Sequence, residues 1–333
     1  PSDRVYMSRK KWGNYFVIKS SANWKNLSFS KQCLIASDIN FQEPVALFLQ
    51  DNGSILSLSG NTILKGTCYL PEKTVRSASI EGQQFIHKKL VSGIIKESPK
   101  TFPELDENFF EYTIDYFENI ENQSDSIVNI LELDNKIYSN SFFSKTIFLY
   151  NDTFNKLANY NLTGNIVLWS TREIELDSTS QMTDIILIAP SIKIKKGFKG
   201  EIQAFAIQSI KVEENCNLYY PSQLCVLQSD KSRYNPADSL IISIDKNSYV
   251  KGGILIKSAG LTAFIKLENG ARAVGQIYCP GLVELKGEIE GTLYCQSFYL
   301  GTLKARYYNH LLNTRIDYNG LSKHFGYIDL FKE

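Results

Sequence analysis

A short segment of alternating apolar and polar residues recurs along the chain and restricts the possible folds more than any other feature. The clearest copy, residues 192–197, has the sequence IKIKKG, in which a glycine follows the alternation. Further copies are IELDS at 174–178, IKVEEN at 210–215, ISIDKN at 242–247, IKLENG at 265–270 and VELKG at 283–287. Such alternation is typical of a half-buried strand. Because the copies recur at about twenty residues, they indicate repeats that stack on one another.

A second series of apolar strands accompanies these copies, at 186–188, 202–205, 224–227, 254–256, 277–279 and 293–295. Two or three strands in each repeat, with glycine or asparagine at the corners, predict an all-β fold. We expect a right-handed parallel β-helix, a solenoid, because crossovers between parallel strands are almost always right-handed. Residues 66–71 (GTCYLP) resemble residues 275–280 (GQIYCP), which places the start of the solenoid before residue 70.

An acidic stretch at residues 101–135 interrupts the repeats and contains ten carboxylates without a lysine or arginine. Its apolar residues have the spacing of one helical face: Leu105, Phe109, Tyr112, Tyr116 and Ile120. We therefore predict an α-helical acidic insertion in a single elongated body. The predicted segments are an N-terminal cap or lead-in at 1–44, first β-helix coils at 45–100, an acidic, partly helical insertion at 101–160, main coils at 161–305 and a C-terminal cap at 306–333.

The two ends of a β-helix expose unpaired backbone groups, which promote end-to-end association unless they are covered. The aromatic residues of segment 1–44 and the apolar residues after Arg306 are available to cover them. We therefore predict capping segments at both ends and a monomeric chain.

The outward residues of the stacked copies form two charged rows. The first row is Glu175, Lys193, Lys211, Ser243, Lys266 and Glu284, and the second is Asp177, Lys195, Glu213, Asp245, Glu268 and Lys286. Opposite charges are neighbours at five of the ten steps of these rows, with Lys193 over Lys211 and Asp245 over Glu268 among the exceptions, and opposite neighbours stabilise adjacent strands. The pattern favours a structural ladder of ion pairs over a ligand site.

Binding to a polysaccharide remains the alternative use of these lysines and of the aromatic residues. An anionic polysaccharide would need unpaired lysines, and a carbohydrate platform would need exposed rings on one patch. The candidate surface-binding residues are Trp12, Trp24, Lys193, Lys195, Lys211, Tyr219 and Tyr220.

Composition excludes several classes of function. The 36 basic and 35 acidic residues give a net charge of +1, so no global field attracts nucleic acid. No apolar run reaches the roughly eighteen residues of a membrane span. The six cysteines contain no CxxC pair and the three histidines are far apart in sequence, so we predict no metal, no cofactor and no catalytic residues. Cys216 with Cys225, or Cys279 with Cys295, could form disulfides or remain free thiols.

Two resemblances bear on function. The stacked copies, and residues 287–291 (GEIEG) in particular, resemble the polymer-forming β-helix of bactofilins. Most of the chain resembles a family of uncharacterised Gram-negative envelope proteins, through residues 12–13 (WG), 58–71, 80–82 (IEG), 96–98 (KES) and the coils up to the C-terminal tail. The family implies a pilin-like N-terminal transmembrane helix ahead of a β-helical body. It implies no catalytic residues.

The sequence thus predicts a non-enzymatic structural or assembly protein of the bacterial cell envelope. The chain begins at Pro1 without a methionine, and we expect an N-terminal segment, now absent, to tether the body to the inner membrane from the periplasmic side. Its partners would be envelope proteins or polysaccharide, with no nucleic acid and no membrane contact except through that segment. The alternative is a polysaccharide-active lyase or hydrolase, or a carbohydrate-binding β-helix protein.

Overall fold

The structure is a computed structural model that describes residues 4–36, 45–106, 127–133, 136–152, 156–228, 239–258, 260, 262–328 and 330–331. It is all-β, as the sequence predicts, with 63% strand and 3% helix. The described residues contain 3-10 helices at Pro71–Lys73, Ile130–Glu132 and Tyr318–Gly320. No helix in these ranges has the length and hydropathy that a membrane span requires.

Strands account for most of the described residues. The first three are β1 Arg4–Trp12, β2 Tyr15–Trp24 and β3 Leu27–Ile35. The next eight are β4 Val45–Leu49, β5 Leu56–Ser59, β6 Ile63–Lys65, β7 Thr67–Leu70, β8 Val75–Ser77, β9 Ser79–Ile80, β10 Gln83–Gln84 and β11 Ile95–Glu97. They are followed by β12 Ile127–Asn129, β13 Ile137–Asn140, β14 Ile147–Tyr150, β15 Lys156–Leu157, β16 Asn161–Gly164, β17 Ile166–Trp169 and β18 Ile174–Leu176. The remainder are β19 Gln181–Ile194, β20 Lys199–Val212, β21 Asn217–Leu227, β22 Ser239–Ile244, β23 Tyr249–Lys257, β24 Thr262–Leu267, β25 Arg272–Leu285, β26 Glu288–Gly301, β27 Arg306–Tyr308, β28 His310–Leu312 and β29 Arg315–Asp317.

A long row of parallel strands organises the body. It contains β12, β14, β17, β19, β20, β21, β23, β25, β26, β4, β7 and β11 in that spatial order. Neighbouring strands in a sheet lie 4.7–4.9 Å apart, so these eleven pairings give a row about 50 Å long. From β19 to β26 each strand pairs with its equivalent one repeat away, as the sequence periodicity predicts.

The alternating copies form a second parallel row in the predicted register. Glu175 pairs with Lys193 and Lys193 with Lys211, and the row continues through Ser243, Lys266 and Glu284. Four of the six copies then turn a corner at a residue with a left-handed backbone, which glycine and asparagine tolerate best. These corner residues are Gly197, Asn215, Asn247 and Gly270. The turn chemistry therefore repeats along with the strands.

Two layers of apolar side chains hold the body together. The inner layer is one continuous cluster of buried residues that extends from Ala46 to Ile316. A second cluster lies on the opposite side of the long row, because successive strand residues point to opposite faces. Its members include Phe48, Ile188, Phe205, Leu255, Tyr278 and Tyr294. We call this outer side of the long row the aromatic face.

The N-terminal strands occupy a position that the sequence does not reveal. Strand β4 pairs with β26, so residues 45–97 continue the long row beyond the last repeat of the C-terminal half. Strand β29 likewise pairs with β26 on one side and with β6 on the other. The prediction of a C-terminal cap at 306–333 is therefore wrong for β28 and β29, which pair within the body instead of covering its end.

The predicted N-terminal cap also takes a different form. Strands β1, β2 and β3 make an antiparallel three-stranded sheet, which we call the hairpin sheet. Trp12, Tyr15 and Val17 from its base are buried in the cluster on the aromatic face. The segment therefore packs against the side of the body, because the outward apolar side chains there need cover.

Part of the predicted insertion belongs to the body as well. Strands β12, β13 and β14 pair in parallel with later strands, so residues 127–150 are repeats and not an excursion. The helix predicted from Phe109 to Ile120 lies outside the described residues. Before it, Phe102 packs against Phe48 and Tyr278 on the aromatic face.

A row of glycines at one corner of the body provides a test of the stacking. Gly252, Gly275 and Gly291 are aligned neighbours with left-handed φ angles of 144°, 138° and 139°. A Cβ on Gly275 would overlap the carbonyl oxygen of Gly252. We expect Gly275→Ala to lower the free energy of unfolding by about 2 kcal/mol or more, through backbone strain and overpacking. Denaturant-induced unfolding measures this change.

The matched control is Gly82→Ala. Gly82 has a φ of 81° but no atom within 4 Å of the added Cβ, so only backbone strain applies there. We expect a loss of about 1 kcal/mol for this variant. Equal losses in the two variants would contradict close stacking at Gly275.

Candidate functional site

The charged face, formed by the outward residues of the alternating copies, uses its lysines in ion pairs. The Nζ of Lys195 donates a hydrogen bond of 2.9 Å to Oε1 of Glu213. Lys193 lies between two carboxylates, 4.0 Å from Glu175 and 3.8 Å from Glu213. Lys211 pairs with Asp245 at 3.6 Å. All three candidate lysines therefore have a carboxylate partner from a neighbouring strand.

The same pairing continues along the face and shifts the pKa values of its carboxyl groups. Burial raises the pKa of Glu268, but the hydrogen bond from Lys266 and the charges of Lys286 and Lys266 outweigh it and lower that pKa overall. Burial also raises the pKa of Glu213, and hydrogen bonds from Lys195 and the Lys196 backbone outweigh it in the same way. These carboxylates stay ionised and paired, which is unsuitable for general acid catalysis.

The aromatic candidates do not form one patch. Trp12 is buried at the base of the hairpin sheet, where its ring packs edge-on against Phe142 at 5.1 Å and its Nε1 donates to the Asp184 carbonyl oxygen at 3.0 Å. Tyr220 is partly buried and contacts the rings of Tyr15 and Phe325. Trp12 and Tyr220 thus join the hairpin sheet and the tail to the body.

The other two aromatic candidates are exposed in different elements. Trp24 lies at the distal turn of the hairpin sheet and is 51% exposed, with the Lys25 ammonium 4.7 Å from its ring centre. Tyr219 lies on β21 and is 44% exposed. Because these rings belong to separate elements, the predicted carbohydrate platform is not assembled.

A groove between the hairpin sheet and the body is the site that sequence reasoning missed. It has a volume of about 410 Å³ and is lined by Gln32, Cys33, Leu34, Ser139, Asn140, Ser141, Phe142, Thr163, Gly164 and Asp184. Burial raises the pKa of Asp184. Burial, and then the charge of Asp184, raise the pKa of Glu201. Neither carboxylate has an ion-pair partner among the described residues.

Asp184 lines the groove, and Glu201 lines a smaller pocket next to it that also contains Asp184. Carboxyl groups with raised pKa values beside a groove are typical of acid–base chemistry. The backbone at Asp184 is also left-handed, with a φ of 63°, where β19 shifts its register against β20. The sequence contains a weak signal for this site. Asp184 interrupts an otherwise apolar strand, MTDIILI at 182–188, so that an acid stands where a half-buried strand would have an apolar or neutral residue.

The cysteines and histidines provide no further site in the part of the chain that is described. All six cysteines are free thiols, and five of them are buried. Burial raises the pKa of Cys225 to about 12, although hydrogen bonds from the Gln223 and Asn14 side chains to its sulfur act to lower that pKa. No group of three or more histidine, cysteine or acidic residues among the described residues has the geometry to hold a metal ion.

The ladder of ion pairs predicts a pH dependence of stability. The hydrogen bond from Lys156, 2.7 Å away, and one from the Thr179 backbone lower the pKa of Asp177 from 3.8 to about 2. A carboxyl with a depressed pKa stabilises the folded state above its unfolded pKa, and that contribution is lost as the pH falls through its folded pKa. We expect Asp177→Asn to remove this contribution and to flatten the fall in unfolding free energy between pH 3.8 and about 2.

The size of this effect is limited by solvent. A solvent-accessible ion pair contributes about 0.2–1 kcal/mol, so the loss at neutral pH should lie in that range. Lys156→Gln removes the same ion pair from the other side and should reproduce most of the loss. An unchanged pH profile in Asp177→Asn would show that the pair does not stabilise the fold.

Known proteins give no independent guide to this chain. It has no significant match to a protein-family model, a curated protein or a solved structure. The functional proposal therefore depends on the sequence resemblances given above and on the geometry of the fold and its surfaces.

Proposed function

We propose that the chain is a non-enzymatic structural or assembly protein of the bacterial cell envelope, with a right-handed parallel β-helix as its body. The body stands on the periplasmic side of the inner membrane, tethered by an N-terminal segment ahead of Pro1. Its partners are envelope proteins or polysaccharide. This is the role implied by the sequence resemblance to bactofilins and to the envelope family.

The parallel pairing supports the β-helical part of this proposal. From β19 to β26 the long row joins equivalent residues one repeat apart, and the row of alternating copies does the same. Strand β4 then extends the long row through the pairing of Leu47 with Leu293. A chain that winds around one axis produces such rows, because each turn places the same residue above its predecessor. The right hand follows from the preference of parallel crossovers.

One observation supports the non-enzymatic part: the charged face and the aromatic face of the body are occupied by contacts within the chain itself. Lysines and carboxylates neutralise one another on the charged face, as at Lys195–Glu213 and Lys266–Glu268. The aromatic face is buried under the base of the hairpin sheet and under Ile328 and Leu330 of the tail. A body of this kind suits a spacer or scaffold better than a catalyst.

The groove beside Asp184 and Glu201 favours a second candidate, a polysaccharide-active enzyme or carbohydrate-binding protein. Glycoside hydrolysis uses two carboxyl groups with different proton affinities, and a sugar needs a groove lined by polar side chains. Asn140, Thr163 and Gln32 line the groove in addition to Asp184. This candidate differs from the first in an observable way, because it requires turnover or sugar binding at that groove.

Incubation with a panel of acidic and neutral polysaccharides decides between them. We expect no release of reducing ends or unsaturated sugars, because the charged-face carboxylates are paired with lysines. Release that is lost in Asp184→Asn and in Glu201→Gln would replace the first proposal with the second. Asp245→Asn is the matched control, since Asp245 is paired with Lys211 and lies on the charged face.

Fractionation of the source bacterium tests the proposed location in the cell envelope. We expect the full-length protein in the inner-membrane fraction and accessible to added protease only after the outer membrane is opened. The reason is the tethering segment that the proposal places before Pro1. Recovery in the cytoplasmic fraction, with no association with membranes, would contradict an envelope role.

A further inference from the structure

The hairpin sheet concentrates positive charge that the composition of the whole chain conceals. Residues 4–36 contain seven of the 36 basic residues and none of the 35 acidic residues, so the other residues carry a net charge of −6. The basic residues are Arg4, Arg9, Lys10, Lys11, Lys19, Lys25 and Lys31. The acids nearest in sequence, Asp3 and Asp38, lie outside the described residues. The protein is therefore strongly polarised towards this sheet.

The same sheet presents an apolar face to solvent. Alternation along the strands and the register Val5–Ala22–Phe29 place one set of side chains on a single face. The apolar members of this set include Val5, Met7, Ile18, Ala22, Trp24, Leu27 and Phe29, and the same face also carries Arg9, Lys11, Ser20 and Lys31. Met7 is 72% exposed and Phe29 65% exposed. Side chains with such exposed fractions are not packed against the rest of the chain. A contiguous exposed apolar patch of this kind usually marks an interaction surface.

The distal part of the opposite face is mainly polar, and the base of the sheet is held against the body. The opposite face carries Ser21 and Ser30, whose hydroxyl groups are hydrogen-bonded at 2.9 Å, together with Lys10 and Lys19. At the base, Asn14 N donates to Gln203 Oε1 at 2.8 Å, which fixes the first turn of the sheet to the body. The distal part, with the turn at Lys25, therefore extends away from the body with one apolar and one polar face.

We propose that the apolar face of the hairpin sheet inserts into the interface of an anionic lipid bilayer. Amphipathic elements that combine apolar side chains with lysine and arginine bind at the boundary between headgroups and acyl chains. Tryptophan favours the same depth, and Trp24 lies on the apolar face and is 51% exposed. Each basic residue near an anionic surface strengthens binding roughly fivefold.

The arrangement favours a bilayer over the other occupants of such a face. A second copy of the sheet would bring seven positive charges against seven others, which opposes association. A nucleic acid or polysaccharide would match the charge, but it offers no apolar volume for Val5, Met7 and Leu27. A bilayer interface satisfies both the charge and the aliphatic side chains. This binding goes beyond the proposed function, which needs no contact between the body and lipid.

Vesicle binding by the intact chain tests the proposal. Sucrose-loaded vesicles of phosphatidylcholine, with or without about 30% phosphatidylglycerol, are sedimented with the protein. We expect at least tenfold tighter binding to the anionic vesicles, weakened as salt rises from about 0.1 M to about 0.5 M. Trp24 fluorescence should shift to the blue on binding and be quenched by brominated lipid, and Trp24→Phe should abolish this signal.

Paired variants locate the surface. Met7→Ser with Phe29→Ser should weaken binding at least tenfold, and so should Lys25→Glu with Lys31→Glu. The controls lie on the body: Leu303→Ser, at a fully exposed leucine, and Lys246→Glu with Lys304→Glu. We expect these controls to change binding by less than about twofold.

Several results would overturn the proposal. Equal binding to neutral and anionic vesicles, no binding to either, or equal losses in the controls would each exclude an anionic-bilayer site on this sheet. Binding of heparin or DNA that matches the vesicle affinity and is unchanged by Met7→Ser with Phe29→Ser would assign the sheet to polyanions. A dimer in sedimentation that these two substitutions dissociate would assign it to a second copy. None of these outcomes decides whether the body acts as a scaffold, so the two proposals fail separately.

Discussion

Parallel backbone pairing between equivalent residues is the constraint on which the rest of the structure depends. Once Glu175 lies beside Lys193, every later residue of the repeat has a defined neighbour in the next repeat. A side chain therefore meets its counterpart from the adjacent strands, so like charges at one position repel unless a carboxylate from the other row lies between them. Lys193 and Lys211 are such neighbours, and each lies near a carboxylate of the second row, Glu213 at 3.8 Å and Asp245 at 3.6 Å respectively.

The outer apolar layer explains why the hairpin sheet and the tail are needed in addition to the parallel strands. Parallel sheets are stable when both faces are covered, and residues such as Phe205 and Leu255 point away from the inner core. The base of the hairpin sheet and the tail provide that cover. Trp12, Tyr220 and Gln203 connect these two peripheral segments to the body through ring contacts and hydrogen bonds. Stability of the body and placement of the hairpin sheet are thus linked through one surface.

The sequence predicts the parts of this structure that depend on local pattern. The rows through Lys193 and Lys195 were predictable, because alternation fixes which side chains point outwards and the repeat length fixes their neighbours. The pairing of β4 with β26 was not, since strands of similar composition, such as 47–49 and 293–295, carry no signal that identifies a partner roughly 250 residues away. Trp12 shows the same limit: its aromatic ring predicts burial but not the surface that buries it.

The candidate sites also differ in whether local sequence pattern or a long-range contact determines them. The predicted rows gave the pairs Glu175–Lys193 and Lys195–Glu213, but not the pairing of Lys211 with Asp245, which joins the two rows. Asp184 and Glu201 were missed because their raised pKa values arise from burial beside the hairpin sheet, which is a long-range contact. The charge of the hairpin sheet could be read from residues 4–36 directly, but only the structure shows that its apolar side chains share one exposed face.

Strand β4 pairs with β26, and β6 pairs with β29. Strands that are synthesised early therefore pair with strands that are synthesised late. A ribosome adds about 5–20 residues per second, so roughly 10–50 s pass between the emergence of Leu47 and that of its partner Leu293. During this time β4 has one open edge, and an open edge of apolar residues is a template for wrong pairing. The short strands and turns of residues 45–97 limit the length of that edge. The body therefore cannot close until β26 and β29 have been synthesised and have paired with β4 and β6.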